Sequence, residues 1–264
     1  MKTRKRVLTM LLTAAVMTAA IPFAAFATGE PAPLTETETE REGWKAISNA
    51  EEFRKMQSGN SYYLTGDIDF KGATFVTLVA TFNGVLDGQD YALKNFTLAN
   101  ESTTADGHMG VFGKVCDGGY TTVKNLVIGS ADAPISMTNN ANADGYHGFL
   151  AGEIVKDGNI AQFENITVYG NYTNKGDCNY YAGGLVGCAR KFVMVGCTMN
   201  GSLTDETNTA KEKNAGGLVG LVKVNNNRQN VMESCTNNAA VSVVGTGTVR
   251  VGGLIGFSGS PLKV

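Results

Sequence analysis

Histidine is nearly absent from this 264-residue chain, which holds only two, at positions 108 and 147. Zinc peptidases need two histidines one helical turn apart with a glutamate between them, and neither residue stands in such a pattern. The spacing of a structural zinc site is missing too, since no two cysteines form a Cys-x-x-Cys pair. After residue 6 no basic cluster follows, which argues against nucleic acid or an anionic membrane as partner. We therefore predict no catalytic residue, no cofactor and no metal site.

The chain has only five cysteines, which is an odd number: Cys116, Cys178, Cys188, Cys197 and Cys235. An exported protein can form disulfides, but this set has no disulfide framework. We interpret these residues as buried free thiols that behave as small apolar side chains.

Positions 1–27 have the layout of a secretory signal peptide. Four basic residues among positions 2–6 precede an apolar run from Val7 to Phe26, which closes on Ala25-Phe26-Ala27. An uncleaved membrane anchor is the alternative, but the break at Pro22 and the small-residue exit favour cleavage. Removal of this leader takes away four positive charges and changes the net charge from −2 to −6. The mature chain, 28–264, is expected to be secreted or held at the cell surface, with no membrane span.

Residues 28–43 are rich in proline and then alternate threonine with glutamate, which predicts a disordered acidic linker. The ordered domain is expected to cover residues 44–264. Near its start, Ser48 and Glu51 match a capping box, and Phe53 and Met56 share one helical face. We predict one short helix here, acting as a cap over the end of a stacked β structure.

Glycine, in contrast, is abundant, with 33 residues, and several of these glycines stand in a motif that recurs along the chain. Ala182–Gly187 reads AGGLVG, and the motif returns at 215–220 and 251–256, with weaker copies from Gly110 and Gly148. The copies follow one another at nearly constant intervals, which is typical of a repeat architecture. The predicted motif positions are Gly110, Gly113, Gly148, Gly184, Leu185, Gly187, Gly217, Leu218, Gly220, Gly253, Leu254 and Gly256. In the copy from Gly148, Ala151 takes the place of the second glycine.

Each period also supplies two further short β-rich pieces, and no later segment has a helical apolar period. These features predict an all-β fold, a right-handed parallel β-helix in which equivalent residues of successive coils stack in columns. The motif leucines are expected to form an inward column, and its glycines a sharp corner. Asn95, Asn125 and Asn165 are expected to stack as an amide ladder at another corner.

The repeated Gly-Gly-Leu-Val-Gly resembles the GLUG motif of bacterial exported and cell-surface proteins. The upstream segments 63–70, 82–88 and 93–98 look like the usual lead-in of that family, so the resemblance covers roughly residues 62–256. It implies an extended, β-helical, surface-associated region of the adhesin-like kind. Similar repeats occur in non-catalytic parts of zinc peptidases that cut immunoglobulin A. This chain departs from the larger members in having no peptidase module, sorting signal or carboxy-terminal span, which suggests a fragment truncated at its C-terminus.

Two chemical alternatives remain open at this stage. Both histidines precede a motif glycine, so they are either a metal pair on adjacent coils or, as we prefer, two loop histidines. The carboxylates Asp67, Asp69, Asp87 and Asp90 are candidates for a polysaccharide lyase or a glycoside hydrolase, and the first three also for a calcium site. Hydrogen bonding to turn amides is the alternative role for Asp67.

The function favoured by the sequence is a non-catalytic, adhesin-like module whose lateral face binds an extracellular glycan or a surface protein. A polysaccharide-active enzyme is the alternative. The tyrosines expected on that face are Tyr62, Tyr120, Tyr146, Tyr169, Tyr172 and Tyr180.

We predict cleavage after Ala27, because the small residues at 25 and 27 fit the signal-peptidase site. Mass spectrometry of the secreted protein should find Thr28 at its amino terminus. Secreted material that still begins at Met1 would contradict the prediction.

Overall fold

A computed structural model describes residues 41–101, 107–155, 159–224 and 230–264. The chain divides into two units, Met1–Glu42 and Gly43–Val264. The predicted signal peptide and nearly all of the predicted linker lie outside the described residues. In the described part, no helix is long and apolar enough to cross a membrane.

The second unit is built almost entirely of short strands. Among the residues that the structure describes there is one helix, α1, which covers Ala50–Arg54. The strands are, in chain order, β1 (Lys45–Ile47), β2 (Asn60–Leu64), β3 (Ile68–Phe75), β4 (Thr77–Phe82), β5 (Gly84–Asp87), β6 (Ala92–Asn100), β7 (Gly107–Val115), β8 (Thr121–Ile128), β9 (Ile135–Asn139), β10 (Gly145–Gly148), β11 (Ala151–Ile154), β12 (Ala161–Asn174), β13 (Tyr180–Gly183), β14 (Val186–Ala189), β15 (Phe192–Val195), β16 (Thr198–Asp205), β17 (Lys213–Gly216), β18 (Val219–Val222), β19 (Asn230–Glu233), β20 (Thr236–Asn237), β21 (Ala240–Ser242), β22 (Val249–Gly252), β23 (Ile255–Ser258) and β24 (Leu262–Lys263).

These strands form a β-solenoid of about five coils, which confirms the predicted all-β parallel helix. One sheet has 14 strands and the other has 10, and strand partners come from successive coils rather than from neighbouring hairpins. For example, β8 pairs in parallel with β12, and β12 pairs in parallel with β15. The right hand of the coil stays a prediction.

The core consists of apolar columns that run across the coils. Because the strands pair in register, Leu86, Val123, Phe163, Met194 and Met232 stand above one another in successive coils, and all five are buried. The alternate positions point away from the core, as the period of two in a strand requires. Sequence segments with little similarity therefore supply one continuous hydrophobic interior.

The predicted asparagine ladder is correct for two of its three members. Asn125 and Asn165 both adopt a left-handed φ, of 50° and 52°, and Asn165 Nδ2 donates to Asn125 Oδ1 at 3.1 Å. Asn95 is also left-handed, with φ 58°, but it lies at a different corner, because Leu93 pairs with Ile128 rather than with Val123. In the next coil, the position that corresponds to Asn165 is occupied by Gly196, whose φ is 63°.

The short helix is present, but its cap is one residue later than the sequence pattern suggested. Asn49 is the N-cap residue, and its Oδ1 accepts from the backbone amides of Glu51 and Glu52. Ser48 instead donates its backbone amide to Glu52 Oε2 at 2.8 Å. Phe53 is completely buried, with its ring 5.9 Å from that of Phe70. The role of this helix as a cap stays a prediction.

The register of the glycine motif corrects the alignment made from the sequence. Gly148 pairs with Gly183, not Gly184, and Gly183 pairs in turn with Gly216, which pairs with Gly252. The second glycine of the copy that starts at Gly148 is therefore Gly152, and Ala151 does not replace it. The leucines follow the same register, since the amide of Leu185 donates to Leu218 O at 2.9 Å. Leu185 and Leu218 are fully buried, and Leu254 is partly buried.

The last glycine of each strong motif copy is needed for close backbone approach and not for a left-handed φ. Gly187, Gly220 and Gly256 all have ordinary φ values. A Cβ added to Gly187 would lie 2.3 Å from the backbone nitrogen of His147, in the preceding coil. One added to Gly220 would lie 2.6 Å from the backbone nitrogen of Ala182. In each of these coils, the strand equivalent to β14 therefore packs directly against the strand of the preceding coil that is equivalent to β10.

Substitution of these glycines should therefore be costly even with alanine. We expect Gly187→Ala or Gly220→Ala to lower the free energy of unfolding by about 1–3 kcal/mol, because backbone must move to admit the methyl group. The matched control is Gly253→Ala in the same motif, where a Cβ meets nothing within 4 Å, and it should change stability by less than about 0.5 kcal/mol. Urea unfolding of the three variants measures the difference. Equal stabilities would contradict the close-approach explanation.

Candidate functional site

Strand β10 places two neighbouring residues on opposite sides of one sheet, and each side carries a group of polar side chains. Tyr146 pairs with His108 and Tyr181, whereas His147 pairs with Met109 and Ala182. Since successive strand residues alternate sides, the Tyr146 position faces outward and the His147 position faces the core. We name the two groups the outer polar cluster (His108, Tyr146, Glu153, Tyr181, Lys223) and the inner polar cluster (His147, Tyr172, Tyr180, Asp205, Lys213).

The outer polar cluster is held together by a carboxylate with two partners. His108 Nε2 lies 3.0 Å from Glu153 Oε2, and Lys223 Nζ lies 3.2 Å from Glu153 Oε1. Lys223 also donates to the Tyr146 hydroxyl at 3.0 Å and sits 4.5 Å from the centre of that ring. The side chains of His108, Glu153 and Lys223 retain 13%, 11% and 26% of their exposure, so solvent reaches this cluster only in part.

Electrostatics in the outer polar cluster favour the charged forms of its carboxylate and its ammonium. Burial raises the pKa of Glu153, but the hydrogen bond from His108 and the charge of Lys223 outweigh it, and the pKa is lowered. Burial likewise lowers the pKa of Lys223, but the surrounding Cys188, Tyr146 and Glu153 raise it overall. At neutral pH the carboxylate is therefore ionised and the ammonium protonated. Neither group is poised to transfer a proton.

The outer position continues as a column along successive coils. His108, Tyr146, Tyr181, Asn214 and Arg250 follow one another in register. The rings of Tyr146 and Tyr181 are stacked, with centroids 5.4 Å apart and an interplanar angle of 22°. At the far end, Arg250 Nη1 donates to Asn214 Oδ1 at 3.2 Å. With coils about 4.8 Å apart, the column is about 19 Å long.

The inner polar cluster contains an ion pair with no solvent exposure. Lys213 Nζ lies 2.9 Å from Asp205 Oδ2, and both side chains are 0% exposed. The ammonium also donates to Val244 O at 2.8 Å and to Thr207 Oγ1 at 2.9 Å. Burial raises the pKa of Asp205, but hydrogen bonds from Thr207 and Lys213 outweigh it, and the pKa is lowered. Each charge thus has the partners that a buried ion requires.

A histidine and two tyrosines complete the inner polar cluster. His147 Nδ1 lies 2.8 Å from the Tyr172 hydroxyl, and its ring is stacked on Tyr180 with centroids 6.2 Å apart. Burial lowers the pKa of His147 to about 3, and it raises the pKa values of Tyr172 and Tyr180. All three side chains are therefore neutral at pH 7, and they serve as polar members of the core.

The structure does not bring the two histidines together as a site. They belong to adjacent coils, but His108 faces outward and His147 inward, and both lie within strands rather than loops. The metal-pair interpretation is therefore wrong, and so is the loop interpretation. Among the described residues, no group of three or more histidine, cysteine, aspartate or glutamate side chains is arranged to hold a metal ion.

The candidate aspartates are engaged in backbone and side-chain hydrogen bonds. Asp67 accepts from the Ala92 amide and from Lys94 Nζ, both at 3.0 Å. Asp69 accepts from the Lys71 amide at 2.7 Å. Asp87 is buried; its Oδ1 accepts from the Gln89 amide at 2.9 Å and from Asn125 Nδ2. Asp69 and Asp87 thus accept from amides two residues further on, as in a turn. The turn role expected for Asp67 is wrong, because its partners lie in the next coil.

The expected tyrosine face is only partly present. Tyr62, Tyr172 and Tyr180 are buried, at 5%, 2% and 1% exposure, so they belong to the core. Tyr120 is exposed, and Tyr146 lies in the outer polar cluster.

Sequence reasoning missed five members of the two clusters: Glu153, Tyr181, Asp205, Lys213 and Lys223. A signal was available for Tyr181, because the residues of the outer column all stand two positions before a paired motif glycine. These glycines are Gly110, Gly148, Gly183, Gly216 and Gly252. The other four missed residues lie outside that column, where no repeated motif marks them.

His147 should make the protein sensitive to acid. Its pKa of 6.5 in the unfolded chain falls to about 3 in the fold, so below pH 6.5 only the unfolded state binds the proton. The contribution of His147 to the free energy of unfolding is fully present above pH 6.5. As the pH falls towards 3, the free energy of unfolding should decline by about 1.4 kcal/mol per pH unit. His147→Phe should make urea-unfolding free energies less dependent on pH between 6 and 4. Tyr172→Phe, which removes the hydrogen bond but keeps the titration, is the control. An unchanged slope in His147→Phe would contradict the assignment.

No protein-family model matches the chain, and no curated protein or solved structure shows significant similarity to it. What can be said of its function therefore depends on its own residues and their arrangement.

Proposed function

We propose that this protein is a non-catalytic secreted or cell-surface repeat module that binds an extracellular glycan or surface protein along the outer column. The observation that carries the proposal is the column itself. His108, Tyr146, Tyr181, Asn214 and Arg250 stand in register on successive coils, so one outward-facing position is repeated along a rigid support. Repeated weak contacts of this kind suit an extended ligand, because affinity then grows through multivalency.

The chemistry of the column fits hydroxyl-rich or anionic ligands. Tyrosine and histidine donate and accept hydrogen bonds, whereas Asn214 is fully buried. Arg250 and Lys223 are cations, and each is paired with a carboxylate, Glu212 and Glu153. The side chains of Lys223 and Arg250 retain 26% and 36% of their exposure, so a ligand on this face can reach both cations.

Binding without catalysis is supported by the protonation states in the same place. A hydrolase needs one carboxyl group that is protonated and a second that is ionised, on either side of the scissile bond. Glu153 is the carboxylate of the outer polar cluster, and its lowered pKa keeps it ionised. Secretion, the surface location and the GLUG resemblance belong to this proposal as well, and they depend on the sequence.

The test is incubation of the full chain with plant, host and microbial polysaccharides, with and without calcium, while binding, reducing ends and unsaturated products are followed. We expect retention without turnover. Tyr181→Ala and Arg250→Ala should weaken binding about tenfold or more, as loss of a central contact does. Tyr120→Ala, an exposed tyrosine outside the column, is the matched control and should bind normally.

Turnover that Glu153→Gln abolishes would overturn the proposal in favour of a polysaccharide-active enzyme. Binding that is lost equally in the Tyr120→Ala control would place the ligand elsewhere on the solenoid and contradict the outer column.

A further inference from the structure

Two cysteines occupy the same position in successive coils. Val195 pairs with Glu233, and Thr198 pairs with Thr236, so Cys197 and Cys235 lie opposite each other. The amide of Thr236 donates to Cys197 O at 2.8 Å, which fixes the two strands together at this point. Paired strands lie about 4.8 Å apart, and a disulfide accepts Cα separations of about 4.4–6.8 Å.

The two side chains leave the backbone in the same direction. The residue before each cysteine is left-handed, with φ 63° at Gly196 and 53° at Ser234, so both strands turn the corner alike. The two thiols lie close enough for each to shift the pKa of the other. Cys197 is fully buried, whereas Cys235 is only partly buried. Cys235 is therefore the more accessible of the two thiols, and Cys197 lies beside it in the preceding coil.

We propose that Cys197 and Cys235 are a redox site that forms a reversible disulfide between the two coils. The other three cysteines lack this arrangement. Cys188, for example, pairs with Glu153 and Leu221 in the neighbouring coils. Cys116, Cys178 and Cys188 are buried, and burial raises their pKa values to about 11, 11 and 12. These three thiols are therefore protonated at neutral pH, and we expect them not to compete with Cys235 in thiol–disulfide exchange.

The structure also assigns a role to each sulfur in thiol–disulfide exchange. The neighbouring Cys197 thiol lowers the pKa of Cys235, which is also the less buried of the two, so Cys235 reacts as the thiolate. This thiolate attacks a low-molecular-weight disulfide such as oxidised glutathione, forming a mixed disulfide and releasing one glutathione thiolate. Cys197, after losing its proton to solvent, attacks the Cys235 sulfur and releases the second glutathione. The two cysteines are oxidised by two electrons, and the glutathione disulfide is reduced to two thiols.

The disulfide would join the segment β15–β16 to the segment β19–β20 of the next coil. A covalent link between coils reduces the freedom of the unfolded chain by closing a loop one coil long. Oxidation should therefore oppose separation of these two segments.

The experiment is to equilibrate the full chain with graded ratios of reduced and oxidised glutathione, quench with acid, alkylate free thiols and map the peptides by mass spectrometry. We expect a single intramolecular disulfide that joins Cys197 to Cys235, with a higher melting temperature for the oxidised protein. Cys235→Ser should abolish both the disulfide and the shift in melting temperature. Cys116→Ala, at a buried thiol outside the pair, should keep both.

The role of each sulfur is tested by trapping the mixed disulfide. In Cys197→Ser, one glutathione should remain attached to Cys235, whereas in Cys235→Ser the buried Cys197 should take none during the same incubation. Two thiols that stay reduced in fully oxidised buffer, a different cysteine pairing, or an adduct on Cys197 would each overturn the proposal.

Discussion

Backbone hydrogen bonding between coils in register is the interaction on which the rest of this structure depends. It places equivalent residues one above another, so each position in the repeat becomes a column with one environment. At the motif this stacking leaves no room for a side chain, because Gly187 of one coil rests on His147 of the coil before it. The two motif strands can therefore approach each other only because this position is glycine in each coil. The leucine column beside it then fills the core.

The same register produces both polar clusters. Adjacent residues of β10 face opposite sides, so one strand contributes Tyr146 to the outside and His147 to the core. The buried Lys213 ammonium adds specificity, because it is paired with Asp205 of its own coil and also donates to Val244 O of the next coil. A slip of one residue between these two coils would remove the second partner from a charge in the interior.

The period, the all-β class and the parallel stacking could be predicted from the sequence, because glycine and apolar residues recur at nearly constant intervals. The exact register could not, since Gly183 and Gly184 are chemically equivalent and only the pairing shows that Gly183 aligns with Gly148. This one-residue difference decides which side chains face outward. Tyr180, which was expected on the lateral face, is 1% exposed, and neither Glu153 nor Lys223 was identified as a partner of the outer column. Asn95 was misplaced for a related reason, because similar local sequences can lie at different corners of the coil.

The close contact between motif strands is the central claim, and a nuclear Overhauser measurement tests it directly. The position of an added Cβ on Gly187, 2.3 Å from the backbone nitrogen of His147, implies that an α-proton of Gly187 lies against the His147 amide proton. We expect a strong cross-peak between these two protons, which belong to different coils, and a corresponding one between Gly220 and Ala182. Absence of both cross-peaks in the assigned spectrum of the folded protein would contradict it.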